Sequence, residues 1–242
     1  MKTCGNRNYR KWLALMVSGG LAVTALAGCG GSDGGTEQSA QIEVSEGIKT
    51  AAEDNKVTTF ALPDGSEESE IYVEPIADLP DDFIRGMDAS AVLSLENSGV
   101  TYYNYEGKEQ DVFETLAQSG VNYIRLRVWN DPYDADGNGY GGGNNDVATA
   151  VALGKRATAY GMKVCVDFHY SDFWADPKRQ HAPKAWEGMS ALEKSEALYD
   201  FTKESLAELL DAGVDVGMVQ AGNEINNGMA GEEDVDTVMD LI

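Results

Sequence analysis

From Phe83 onward the chain predicts an α/β fold in which repeated strand and helix units build a parallel sheet. Three observations carry that prediction. Short apolar runs alternate with amphipathic stretches. Gly120, Gly161 and Gly213 each stand between a helical stretch and the next apolar run, where a residue tolerant of left-handed backbone stops a helix. The apolar runs also end in polar residues, as buried parallel strands do when they deliver side chains to a pocket.

The first strand is expected over Phe83 to Asp88, with Asp88 at its end. An irregular loop with Tyr102, Tyr103 and Tyr105 follows. Gln110 to Ser119 then places Val112, Phe113, Leu116 and Ala117 on one helical stripe. The second strand, Tyr123 to Trp129, sorts by parity: Ile124, Leu126 and Val128 face a helix layer, while Arg125, Arg127 and Trp129 face the other way. Inward arginines need carboxylates. An ion pair that ties strands together is the alternative to a ligand contact, above all for Arg125.

The Gly-rich loop from Asn130 to Asp146 contains Asp134, Asp136, Asn138 and Gly139 and mimics the start of a calcium loop. Asn145 stands where a bidentate Glu is needed, so a turn-rich, substrate-facing loop is the better reading. A helix around Val147 to Tyr160 leads to the third strand, Lys163 to Tyr170, in which Asp167 and His169 share the inward parity with Cys165. Asp-x-His invites a metal. With His181 the one other histidine of the mature chain and no Cys/His cluster, neither a metal nor a cofactor is expected, and contacts to sugar hydroxyls suit these residues better.

The loop Ser171 to Gly188 mixes Trp174 and Trp186 with Asp172 and Asp176, indoles for C–H faces and carboxylates for hydroxyls, which suits carbohydrate subsites. A packed surface loop is the alternative. A helix from Ala191 to Leu210 turns Leu198, Phe201, Leu206 and Leu209 toward the core. The fourth run, Met218 to Asn226, stops abruptly in small and polar residues and marks Glu224 as a candidate catalytic acid; a cap or a solvated loop carboxylate is the plainer reading.

Acidic residues outnumber basic ones 41 to 18, a formal charge of −23, which argues against nucleic acid and anionic lipid as partners and leaves neutral polar substrates open. Residues 1–28 read as a leader: Lys2, Arg7, Arg10 and Lys11 precede an apolar core from Trp12 to Ala25. Leu26-Ala27-Gly28-Cys29 resembles a bacterial lipobox, which implies export, cleavage before Cys29 and a lipid on its sulfur, hence a membrane anchor or otherwise secretion. Residues 29–70 are Gly-rich and then acidic, a composition suited to a flexible tether, and residues 71–242 hold the folded part. Cys165 remains as a single buried thiol.

Four motifs then carry a family resemblance. Arg85-Gly86-Met87-Asp88, Arg125 to Pro132 (Arg-Leu-Arg-Val-Trp-Asn-Asp-Pro), Asp167 to Pro177 (Asp-Phe-His-Tyr-Ser-Asp-Phe-Trp-Ala-Asp-Pro) and Gly222-Asn223-Glu224 resemble glycoside hydrolase family 53, the arabinogalactan endo-β-1,4-galactanases. The resemblance implies a (β/α)8 TIM barrel that cuts β-1,4-galactan or arabinogalactan with retention, two carboxyls standing about 5 to 5.5 Å apart. It implies Glu224 as acid/base and Asn223 on the sugar hydroxyl beside the reacting carbon. Asp88, Arg127, Trp129, Asp167, His169 and the Trp174 to Arg179 loop, with Asp176 and Lys178, would line subsites. The family's nucleophile follows a seventh strand, whereas this sequence reaches Ile242 after four. Such barrels take about 250 residues, so a truncated N-terminal half, inactive by itself, is expected. A sugar-binding surface lipoprotein without catalysis, and a related retaining glycosidase for another β-linked polysaccharide, are the competing readings.

Overall fold

The computed structural model describes Ile76 and residues 78–242. The expected leader, Cys29 and the acidic tether lie outside the described residues. Four strands, β1 (Gly86–Asp88), β2 (Tyr123–Val128), β3 (Lys163–Phe168) and β4 (Val216–Ala221), alternate with helices α1 (Val92–Asn97), α2 (Val112–Gln118), α3 (Val147–Ala159), α4 (Ala191–Asp211) and α5 (Val235–Leu241). The sheet is wholly parallel in the order β1-β2-β3-β4, so sequence neighbours are spatial neighbours.

The expected glycine stops are in place, with φ of 86° at Gly120, 76° at Gly161 and 82° at Gly213. Helix starts are fixed by side chains that accept otherwise orphaned backbone N–H groups: Asp111, Asp146 and Asp234 for α2, α3 and α5, and a reciprocal Ser190–Glu193 capping box for α4. Parity also holds. Ile124, Leu126, Val128, Val164, Val166 and Phe168 are fully buried in one cluster with Ala150, Leu153 and Ala157 of α3 and Leu198 and Leu209 of α4. Phe201 and Leu206 pack against that cluster from its margin.

Two differences from expectation have local causes. β1 is only three residues long because Asn122 takes both groups of the preceding segment, its Oδ1 accepting from the Arg85 N–H at 2.8 Å and its Nδ2 donating to the Phe83 carbonyl at 2.9 Å. The segment after β1, expected to be irregular, opens with α1; its N-cap Ala91 has no side-chain bond to offer, so the sequence carries no start signal. Among the described residues β1 and β4 are the outer strands of the sheet, and Met87 on β1 and Met218 and Val219 on β4 are exposed. No helix among the described residues is long and apolar enough to cross a membrane.

Candidate active site

Opposite the apolar cluster, the same strands carry a polar floor, because register places the alternate residues in rows. Asp88 pairs with Arg125 along β1 and β2, and Arg127, Asp167 and Gln220 line up across β2, β3 and β4. Arg125 is the hub. It donates to Asp88 Oδ2 at 2.7 Å, Gln220 Oε1 at 3.2 Å and Asn223 Oδ1 at 2.9 Å, and pairs with Asp167 Oδ2 at 2.5 Å. Arg127 lies 3.6 Å from Asp88 Oδ1 and beneath the Trp174 ring, 4.3 Å from its centroid. Burial pushes the Arg127 guanidinium down from its ordinary value, with Asp88 opposing. Burial alone would push the Asp88 carboxyl up, but the Ser90 N–H and the charge of Arg127 together hold it below its ordinary value. The floor therefore balances two carboxylates against two guanidiniums.

His169 and Asp167 are fully buried. The Ala175 N–H donates to His169 Nδ1 at 3.0 Å, so that nitrogen carries no proton, and Nε2–H faces Asp167 Oδ2 at 3.0 Å. The ring is thus fixed as one neutral tautomer with both nitrogens engaged. Asn223 closes the circuit by donating Nδ2 to the Ala175 carbonyl at 2.8 Å while its Oδ1 faces Arg125. Its amide is oriented from both ends.

Glu224 is next in the chain. The β3–β4 ladder ends with the Gly222 N–H on the Phe168 carbonyl at 2.9 Å, and Gly222 then takes φ 82°, where a Cβ would collide with Ile225 and Met229. Glu224 itself has φ 51° and ψ 44°, a left-handed backbone that costs a non-glycine residue about 1 to 2 kcal/mol. It precedes a 3-10 turn, Ile225–Asn227, yet makes no side-chain cap bond. The residue is exposed, and its carboxylate forms no hydrogen bond or ion pair with the described residues. An exposed, unpaired carboxylate on a left-handed backbone beside this network is not a capping group, which would bond the turn that follows.

The other expected site residues divide into layers. Trp174, 41% exposed, offers an indole face above Arg127. Trp129 is fully buried beneath it, edge-on to Trp174 and His169 and tilted against Phe173. Trp129, Asp167 and His169 thus lie beneath the exposed residues and support them. Lys178 is exposed and lines a cleft of about 520 Å³ with Pro177, Gln180, His181 and Asn227. Asp176 shapes the turn below that cleft: its Oδ1 accepts from the Lys178 N–H at 2.8 Å, and its Oδ2 pairs with Arg179 at 2.8 Å. That backbone N–H is the main cause of the lowered Asp176 pKa.

Trp186, read from sequence as subsite-forming, instead stacks on Tyr170 in the core with 6% exposure. Asp172 likewise has a structural part, accepting from the Asp131 and Lys184 N–H groups at 3.0 and 2.8 Å. The calcium-like trio has its own explanation. Asp134 Oδ1 accepts from the Asp136 and Asn138 N–H groups, as Asn104 Oδ1 does from Glu106 and Lys108 in an equivalent loop. A neutral residue does the same work there, so the motif shapes a turn. Gln220, Ser90 and Gln180 were missed from sequence; of these only Gln220, a polar residue inside an apolar run, carried a visible signal.

A parallel sheet whose carboxyl ends gather arginines, carboxylates, indoles and an exposed Glu has the layout of a (β/α)-barrel site. Comparison with known proteins specifies it. Residues 84–242 match the model of glycosyl hydrolase family 53, and the chain belongs to that family. Its fold is accordingly that of the TIM barrels, of which the four described strand–helix units are consecutive members. It is 59% identical over 165 residues to an endo-β-1,4-galactanase of Bacillus subtilis, covering 68% of this chain and 38% of the relative. An arabinogalactan endo-β-1,4-galactanase of Humicola insolens is 38% identical over 145 residues, covering 60% and 41%. The solved family 53 catalytic domain of Ignisphaera aggregans superposes with a TM-score of 0.68 at 43% identity, over 71% of this chain and 49% of that one. The chain spans about two fifths of the length of the curated relatives it matches.

Proposed function

We propose that the full-length protein is an endo-β-1,4-galactanase that cleaves galactan or arabinogalactan with retention of configuration. The observation that supports it most is Glu224, held unpaired at the end of β4 beside an Asn223 amide fixed by Arg125 and Ala175. The names of the relatives supply the substrate.

In this reading the Glu224 carboxyl gives its proton to the departing glycosidic oxygen as the C–O bond breaks. A second carboxylate, placed by the resemblance beyond Ile242, forms the glycosyl ester. Glu224, now ionised, takes a proton from water, and the hydroxide equivalent displaces the ester to release the sugar. Asn223 would hold the hydroxyl beside the reacting carbon. Trp174 would stack on a sugar C–H face, and Asp88, Arg127, Asp176 and Lys178 would meet hydroxyls at neighbouring subsites. The charge-balanced floor suits a neutral ligand, since it offers donors and acceptors without attracting ions. No cofactor enters the scheme. We further propose that the protein is exported and held to the membrane by a lipid on Cys29.

Reducing-end release from galactan, xylan and mannan by the full-length protein tests the substrate. Galactan should be cut at least about tenfold faster than the others, as differential transition-state contacts require. Equal or greater rates on xylan or mannan would favour the other β-linked polysaccharides, and binding of galactan without release would favour the sugar-binding lipoprotein.

A further inference from the structure

Gln180 lies in the loop after β3, 44 residues before Glu224, and no part of the scheme above uses it. The two N–H bonds of its Nε2 serve three carbonyls, Asn223 at 2.8 Å, Asp176 at 3.1 Å and Glu224 at 3.2 Å, one N–H being shared between two of them. Three acceptors around that atom fix the amide orientation, because the flipped form would set Oε1 against three carbonyl oxygens. The Gln180 carbonyl in turn accepts from the Gly231 N–H at 2.6 Å.

The two β4-end carbonyls bound by Gln180 flank the Glu224 Cα. In a strand, successive carbonyls point in opposite directions, whereas helical φ and ψ of either hand turn them the same way. One amide can therefore bond both while Glu224 keeps its bent backbone of φ 51° and ψ 44°, and would lose one of them if that backbone extended. Neighbouring straps act in the same direction: Asn223 Nδ2 reaches the Ala175 carbonyl and Asn227 Nδ2 the Pro177 carbonyl, at 2.8 and 2.9 Å. Of these, Gln180 alone holds the backbone on both sides of Glu224.

We infer that Gln180 is a positioning residue: its amide clamps the peptides on either side of Glu224 and so aims the carboxyl at the glycosidic oxygen. The inference rests on the acid/base reading of Glu224. Its consequence is selective. Misaiming the acid harms leaving groups that need a proton and spares those that do not.

The test compares kcat and KM on galactan with kcat/KM on an aryl β-galactobioside whose dinitrophenolate departs unprotonated, using the full-length protein. Gln180→Met keeps the length and packing of the side chain and removes the clamp; Gln180→Asn retracts the amide and carries the same readouts. Both should lower kcat on galactan roughly 30- to 100-fold with KM within about threefold, and change the aryl substrate less than about threefold. An equal loss on both substrates, a loss confined to KM, no loss on galactan, or failure of both variants to fold would overturn the assignment. Glu224→Ala is run beside them. If it shows no leaving-group dependence, the acid/base reading itself fails; if it shows the dependence and the Gln180 variants do not, only the clamp fails.

Discussion

The two faces of this sheet use the same strands to opposite ends. Outward, Ile124, Leu126, Val128, Val164, Val166 and Phe168 are interchangeable in kind: each is apolar, fully buried and held by area and shape. Inward, Arg125, Asp167, His169, Ala175 and Asn223 form a closed circuit in which each bond direction depends on the next. The outer face tolerates a change of shape and loses stability in proportion to volume. The inner face tolerates little change of chemistry, since removing one partner leaves a buried polar group without its bond.

The outer face gives the largest stability effect. Phe168 is fully buried, stacks on Tyr170 and meets Phe201 edge-on, so Phe168→Ala should cost about 3 to 5 kcal/mol in chemical denaturation. At a temperature where the variant stays folded, its kcat should remain near wild type. A large kcat loss in the folded variant would mean that the two faces are not separable.

A smaller effect tests the inner face through pH. The Asp88 carboxyl is held below its ordinary value, so its stabilising contribution is complete above the unfolded value of about 3.9 and is lost as pH falls through the lower, folded one. Asp88→Asn should lower Tm by a constant amount between about pH 5 and 7, and the gap to wild type should close on further acidification. A gap that widens in acid would contradict the ion-paired assignment.

The smallest effect belongs to a loop on neither face. Asp134 and Asn104 accept the same pair of backbone bonds in their respective turns, and Asp134 adds only an exposed bond from the Asn138 amide, so Asp134→Asn should leave galactan hydrolysis unchanged and lower Tm slightly, equally with and without added calcium. A calcium-dependent difference would show that the charge of Asp134 has a use beyond the turn.

This contrast also decides what could be read from sequence. The outer face was legible because period-two alternation in Tyr123 to Trp129 and Lys163 to Tyr170 requires only a residue class, and the helix stops at Gly120, Gly161 and Gly213 require only a backbone conformation. The inward direction of Asp88, Arg127, Asp167 and His169 followed from the same parity, though not their depth. Trp129, Asp167 and His169 lie a layer below the surface, which depends on the loops folded over them. Trp186 was misplaced for that reason: an indole in a polar loop has the composition of a subsite, but Tyr170 stacks on it. Gln180 was invisible because its bonds depend on two loops meeting some 43 residues apart in sequence. The six-residue α1 has neither a capping side chain nor enough turns to show a period.

The central claim, that the strand-end Glu224 is the acid/base, is tested most directly by Glu224→Ala in the full-length protein, assayed on galactan and then on the dinitrophenyl galactobioside with and without azide. Loss of roughly 100-fold or more on galactan is expected, as removal of a general acid requires, together with recovery of aryl turnover in azide. Azide attacks the glycosyl ester without needing a base, so the product should be the β-galactosyl azide, formed with retention. Near-normal turnover of galactan by the variant, or an azide product of inverted configuration, would contradict the account.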